Sequence, residues 1–223
     1  VLTEATADLA MTLILMTARR TGEGERELRE GRWTGWRPTH LMGTAVNGRT
    51  LGIIGLGRIG SALARRASRG FGMRVRYHNS RPVAARVARE AGASPAGSLD
   101  DLLAESDFVS LHCPATPETH HLIDSARLAR MRPGAFLINT ARGDVVDESA
   151  LADAIRDGVI AGAGLDVYEN EPQVHPGLLL LPGVVLLPHL GSATIEARTA
   201  MGQMAFDNLV AWFDLGVPIN PVA

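Results

Sequence analysis

Three glycines in Gly55-Leu56-Gly57-Arg58-Ile59-Gly60 follow the apolar run Thr50-Leu51-Gly52-Ile53-Ile54 and open at once onto a helical pattern. A strand, a G-x-G-x-x-G turn and a helix in that order form a cradle for a dinucleotide pyrophosphate. Gly55 allows the tight turn, Gly57 lets main chain approach the phosphates, and Gly60 lets the helix pack closely on the strand. The helix N-terminus adds free N–H groups and a partial positive charge. Taken alone, the spacing also suits a tight strand–helix turn in some other α/β protein.

Hydride chemistry on a ketone needs more than the cofactor. One group must orient the substrate, an acid must protonate the carbonyl, and a neighbour must set that acid. In doubly wound folds such groups lie beyond the C-terminal ends of the strands. Three candidates follow apolar runs in this way. Arg142 lies in Asn139-Thr140-Ala141-Arg142-Gly143, Glu171 in Asp166-Val167-Tyr168-Glu169-Asn170-Glu171-Pro172, and His189 in Leu187-Pro188-His189-Leu190-Gly191. Each has an ordinary explanation by itself: a surface arginine, a capping glutamate, a satisfied core histidine.

The elements that must position these groups are readable from periodicity. Short unpunctuated apolar runs predict strands at 51–55, 73–78, 107–111, 135–139, 162–166 and 184–187, as expected of strands buried on both faces. Helices fall between them at about 58–70, 82–91, 99–105, 124–131 and 147–157, with Gly92, Pro133-Gly134 and Gly158 as stops. Leu2, Ala5, Leu9, Leu13 and Met16 recur at helical spacing over 1–20, and another long helix runs from Ser192 to Leu215. Between 21 and 47 the pattern gives a short helix near Glu25 to Glu30 and an extended arm with Trp33, Trp36 and Pro38. Alternating strands and helices call for a doubly wound α/β fold with a parallel sheet, a Rossmann dinucleotide-binding domain with flanking helices.

Composition sets the outer limits. The chain has 223 residues, 22 basic against 24 acidic and a formal net charge of −2, which gives no reason to propose nucleic acid or an anionic membrane as partner. No stretch is long and apolar enough to span a bilayer. Glu4 and Asp8 interrupt the opening apolar run, and Arg19-Arg20 lies at the wrong end for a signal peptide. Cys113 is the only cysteine, so no internal disulfide can form and a reducing, cytoplasmic compartment is expected. Nothing nearby would activate its thiol as a nucleophile. The seven histidines do not fall into metal-ligand spacing, no metal site is expected, and His120-His121 reads as a solvent-exposed pair in a loop.

The chain resembles the D-isomer-specific 2-hydroxyacid dehydrogenases. The resemblance rests on Gly55-Leu56-Gly57-Arg58-Ile59-Gly60, Leu111-His112-Cys113-Pro114, Asn139-Thr140-Ala141-Arg142-Gly143 with Val146-Asp147-Glu148, Gly164-Leu165-Asp166-Val167, Glu171-Pro172 and Pro188-His189-Leu190-Gly191-Ser192, all in this order. It implies that Arg142 binds the substrate carboxylate and keto oxygen, since a guanidinium fork matches a carboxylate. It makes His189 the proton donor on reduction, with Glu171 holding the ring and favouring its imidazolium. It places Arg58 and Ile59 along the pyrophosphate, His112, Cys113 and Pro114 on the adenosine side, and Thr140, Ala141 and Gly191 along the nicotinamide half. Asp166 would bond the nicotinamide carboxamide.

Sites specific for NAD carry an acidic residue after the second strand, on the ribose 2′-hydroxyl. Here the order is Tyr77-His78-Asn79-Ser80-Arg81-Pro82, with Asn79 in that place and Ser80 and Arg81 able to meet a 2′-phosphate. NADP(H) is therefore the expected cofactor, NAD(H) the alternative. Trp33-Thr34-Gly35-Trp36 and Tyr77-His78-Asn79 resemble segments of glyoxylate and hydroxypyruvate reductases. The implied activity is hydride transfer to a small 2-keto acid, by a homodimer joined through its cofactor domains. The resemblance divides the chain into a junction helix at 1–20, the dinucleotide-binding domain at 21–191, and a helix and tail at 192–223 that return to a substrate domain preceding residue 1. It also admits a dinucleotide-sensing corepressor-like scaffold, or a dehydrogenase of another small anion.

Overall fold

The computed structural model describes residues 1–221; the last two residues of the expected C-terminal tail lie outside them. Seven parallel strands form the sheet: β1 Thr50–Ile54, β2 Arg74–His78, β3 Ala93–Pro95, β4 Phe108–Leu111, β5 Phe136–Asn139, β6 Gly162–Leu165 and β7 Val184–Leu186. Their spatial order is β3-β2-β1-β4-β5-β6-β7, so the winding reverses between β1 and β4. Register pairs Ile54 with Leu111, which puts the two strand ends of the switch point side by side. Ligands of doubly wound sheets bind above such a crevice.

Helices cover both faces. One layer holds α1 Thr3–Arg19, α3 Arg58–Phe71 and α4 Ala85–Ala91, packed on Leu51, Ile53, Phe108, Phe136 and Ile138. The other holds α5 Leu99–Glu105, α6 Ser125–Leu128, α7 Glu148–Arg156 and α8 Pro176–Leu179, packed on Val109, Leu111, Leu137 and Ala163. A Cβ on Gly164 would meet the side chains of Leu13 and Thr17, so α1 lies directly on β6. Phe108 and Phe136 stack across β4 and β5 with centroids 5.3 Å apart, an arrangement that adds to their burial.

All six expected strands form. The exposed edge strand β3 and the single-turn α8 were not expected, because three or four residues carry too little periodicity. The helix expected at 82–91 begins only at Ala85, after Pro82 and an extended Ala84. That expected at 124–131 is one turn, capped by the Asp124 side chain on the N–H of Arg127. The short helix expected near 25–30 is longer and earlier, α2 at Thr21–Arg29.

The long C-terminal helix, α9 Ile195–Leu215, begins at Thr194, whose hydroxyl accepts the N–H of Ala197. Along its 21 residues only Ala197 and Ala211 are buried, while Phe206, Leu209, Trp212, Phe213 and Leu215 are exposed. Trp33 and Trp36 in the arm are exposed as well. No helix of the described residues is long and apolar enough to cross a membrane.

Candidate active site

The phosphate turn has the shape its glycines suggest. Gly55 takes φ +99°, and a Cβ there would press on the main chain of His112 and Cys113. A Cβ on Gly60 would strike the carbonyl of Gly55 and the Ile53 side chain, whereas one on Gly57 would meet nothing and stand in the groove. Helix α3 has no side-chain cap, so its first-turn N–H groups face the groove without a competing acceptor. Gly57, Arg58, Ile59 and His112 line a common cavity of about 490 Å³ with Leu2 and Met204.

Around it the remaining cofactor candidates fall into place at the strand ends. The Oδ1 of Asn79 accepts the N–H of Leu56 at 2.7 Å, so this residue braces the glycine turn from β2. Ser80 and Arg81 are exposed beside it, and Arg81 makes no salt bridge among the described residues. His112 pairs its Nε2 with the hydroxyl of Ser110 at 2.9 Å, and burial pushes its pKa down to about 4, so the ring is neutral. Burial likewise pushes the Cys113 thiol up, which agrees with an unreactive sulfur. Pro114 is exposed at the start of the following loop.

At the end of β5, Asn139 shapes the next turn through both ends of its amide. Its Oδ1 accepts the N–H of Ala141 at 3.0 Å and its Nδ2 donates to the carbonyl of Arg142 at 2.9 Å. This sets Ala141 at the rim and leaves the Arg142 guanidinium exposed to solvent. Thr140 is buried, and its hydroxyl has no partner among the described residues. A buried hydroxyl without a partner costs free energy, and a bound polar group would satisfy it. Together with the open Gly57 and the uncapped α3, it makes these residues a fit for a dinucleotide.

His189 and Glu171 meet. The Nδ1 of His189 lies 2.8 Å from Oε2 of Glu171, while the other carboxylate oxygen accepts the N–H of Tyr168 at 3.1 Å. Burial raises the Glu171 carboxyl, but the bonds from His189 and Tyr168 and the charges of His189 and Arg142 outweigh it. The carboxyl is held below its ordinary range. Arg142, Glu171 and His189 follow β5, β6 and β7 in turn, so all three lie beyond the C-terminal edge of the sheet, with the Arg142 guanidinium donating to the carbonyl of Ala141 at 2.6 Å. His189 takes a left-handed φ of 54°, costly for a residue with a Cβ and characteristic of functional sites.

What holds that conformation is Asp166, at 1% exposure. Its main-chain oxygen accepts the N–H of His189 at 2.9 Å; its carboxylate accepts those of Leu190 at 2.6 Å and Gly191 at 2.8 Å. Burial pushes this carboxyl above its ordinary range, and the two N–H groups oppose the shift. The carboxylate expected on the nicotinamide carboxamide is therefore turned onto the 190–191 main chain. Thr6 of α1 completes the support with a bond to the Gly191 carbonyl at 3.1 Å.

The reading of His120 and His121 as an exposed pair needs correction. The rings stack with centroids 4.0 Å apart, but only His120 is exposed; Nε2 of His121 pairs with Glu169, a residue 48 positions away. No sequence spacing links them, because the fold alone brings their loops together. Asn139, Tyr168 and Glu148 also escaped the sequence reading as positioning groups; a polar residue ending an apolar run was the available signal for Asn139.

Comparison with known proteins decides the family. The D-isomer specific 2-hydroxyacid dehydrogenase family, in its NAD binding domain, matches residues 11–191. The chain belongs to this family. A glyoxylate reductase of Thermococcus onnurineus is 52% identical over 98% of this chain and 66% of its own length. A glyoxylate reductase of Korarchaeum cryptofilum is 49% identical over 100% of the chain and 67% of its own. An NADPH-dependent glyoxylate/hydroxypyruvate reductase of Sinorhizobium meliloti, crystallised with NADP and malonate, superposes with a TM-score of 0.91 at 42% identity, covering 100% of this chain and 68% of that one. The chain thus spans about two thirds of the length of the curated relatives it matches. As a member of the family it presents, above β1, the nicotinamide dinucleotide groove of the matched domain.

Proposed function

We propose that the chain is the cofactor-binding part of a reductase of small 2-keto acids, glyoxylate and hydroxypyruvate first among them, with a preference for NADP(H). The observation that carries this reading is the His189–Glu171 contact of 2.8 Å, at the same C-terminal edge of the sheet as Arg142 and the glycine turn. The names of the relatives and the NADP of the Sinorhizobium complex support it.

When bound, the dinucleotide supplies the hydride on reduction and takes it up on oxidation. Arg142 pairs its guanidinium with the substrate carboxylate and steadies the keto oxygen. With Nδ1 of His189 turned to Glu171, Nε2 faces the substrate and gives its proton to the carbonyl oxygen, taking it back in the reverse direction. The Glu171 carboxylate fixes the ring through its Nδ1. Asp166 and Thr6 serve the nicotinamide end through the Gly191 turn, and Thr140 offers its free hydroxyl there. Ser80 and Arg81 are the groups for a 2′-phosphate.

The surfaces suit a larger assembly. The unburied apolar side of α9 is the junction with a substrate domain; α1, expected there too, packs instead into the core against α3, β5 and β6. The arm with Trp33 and Trp36 is the contact between two copies in a homodimer, since exposed tryptophans favour such interfaces. A single cysteine fits a cytoplasmic setting.

The test is a panel of glyoxylate, hydroxypyruvate, pyruvate and a bulkier keto acid, each with NADPH and NADH, followed by nicotinamide absorbance. Reduction of the two smallest hydroxylated or unsubstituted acids with NADPH supports the reading. Turnover of none of them overturns it, and a lower KM for NADH overturns the cofactor preference.

A further inference from the structure

Glu169 lies two residues before Glu171 on one loop, yet its side chain serves a different neighbourhood. Its Oε1 pairs with Nε2 of His121, and its Oε2 accepts the N–H of Glu148 at 3.4 Å. Glu148 returns the contact: its Oε1 accepts the N–H of Glu169 at 3.0 Å. Each carboxylate thus closes on the other's main chain, between the start of α7 and the loop after β6. Glu148 is buried, and burial pushes its carboxyl above the ordinary range, with the charge of Glu169 adding to the shift.

The same place receives two further attachments. The N–H of His121 donates to the carbonyl of Asp144 at 2.8 Å, in the 3-10 turn Gly143–Val145. In that turn Gly143 has no room for a Cβ, because the main chain of Tyr168 and Glu169 fills the space. The turn that carries Arg142 and the loop that carries Glu171 are therefore one packed unit. The hydrogen bond to Glu169 and the charges of Glu169, Asp147 and Asp144 raise the pKa of His121, whose ring stacks on His120.

We infer that the His121–Glu169 pair, locked onto the N-terminus of α7 through Glu148, is the positioning device that holds the loop carrying Glu171 against His189. Side chains leave this loop in three directions: Tyr168 to the carbonyl of Leu187 at 2.8 Å, Glu169 to His121, and Glu171 to His189. With the first two fixed, the N–H of Tyr168 stands where it grips Glu171 Oε1. Without the imidazolium, Glu169 and Glu148 face each other as like charges, and the repulsion pushes the loop off α7. His121 and Glu169 touch no reacting atom; they act through Glu171. The inference rests on the proposed role of Glu171 in orienting His189.

Amide hydrogen exchange of the folded chain, resolved by NMR at a pH near 6, tests it without any assay of turnover. In E169Q and H121Q the amides of Tyr168 and Glu169 are expected to exchange roughly tenfold faster or more, while those of Ile53 and Leu137 keep their rates, the mark of a local opening. H121K restores slow exchange, since an ammonium supplies the missing charge. E171A, which removes the acceptor of the Tyr168 N–H, releases Tyr168 alone. Uniform acceleration across the core, or unchanged exchange at Tyr168 in both E169Q and H121Q, overturns the inference and leaves the Glu171–His189 contact standing. An unchanged Tyr168 amide in E171A removes the grip of Glu171 on Tyr168, and the inference with it.

Discussion

The carboxylate of Asp166 accepts the N–H of Gly191 at 2.8 Å, and its Oδ1 takes that of Leu190, directly after the left-handed His189. A buried acid is thus spent on shaping a turn, and the catalytic ring inherits its direction from that turn. Hydrogen bonds to charged groups contribute roughly 1.5–3 kcal/mol each, so D166A should cost about 3 kcal/mol or more. D166N keeps one acceptor and should cost less. Chemical denaturation of both variants checks the order, and equal stability of D166A and the parent chain would contradict it.

Replacing His189 by Gln removes the proton donor and should lower turnover by roughly 10²–10⁴-fold, the range for a lost general acid. Glu171→Gln keeps the geometry but removes the negative charge beside Nδ1 of His189, and should reduce kcat more than it changes the KM of the cofactor. Because Glu171 is held below its ordinary range, its contribution to stability is complete above the unfolded carboxylate value of about 4.3 and fades as pH falls through the folded one. Steady-state kinetics and an acid-unfolding curve measure the two effects separately.

Gly143→Ala would push a methyl group into the main chain of Tyr168 and Glu169. Overpacking of this kind costs typically about 1–3 kcal/mol, and here it should also shift the turn that carries Arg142. The expected signature is a lower denaturation midpoint together with a higher KM for the keto acid.

His121 has its pKa raised by the hydrogen bond it donates to Glu169 and by the charges of Glu169, Asp147 and Asp144, with desolvation opposing. A raised imidazole stabilises the fold fully below its unfolded value, about 6.5, and the contribution is lost as pH rises through the folded value. The Tm difference between the parent chain and H121Q should therefore narrow on going from about pH 6 to about pH 9. A difference that widened would contradict the ion pair.

Arg81→Ala should raise the KM for NADPH roughly tenfold or more and leave that for NADH unchanged, as removal of a bond to a phosphate predicts. Equal effects on the two cofactors would show that Arg81 does not face the 2′-phosphate.

The amino-acid order alone determined the parallel strands other than β3 and the glycine turn, because buried parallel strands are short apolar runs and a tight turn needs glycine at Gly55. It also singled out Arg142, Glu171 and His189, since each follows a strand on the edge where ligands bind. Only tertiary structure decided what surrounds them. The use of Asp166 on the 190–191 main chain, Asn79 on Leu56 and His121 on Glu169 joins residues far apart in the chain. Hydrogen bonds of that kind carry no period and no local pattern, so they exist for the reader only once the loops have met.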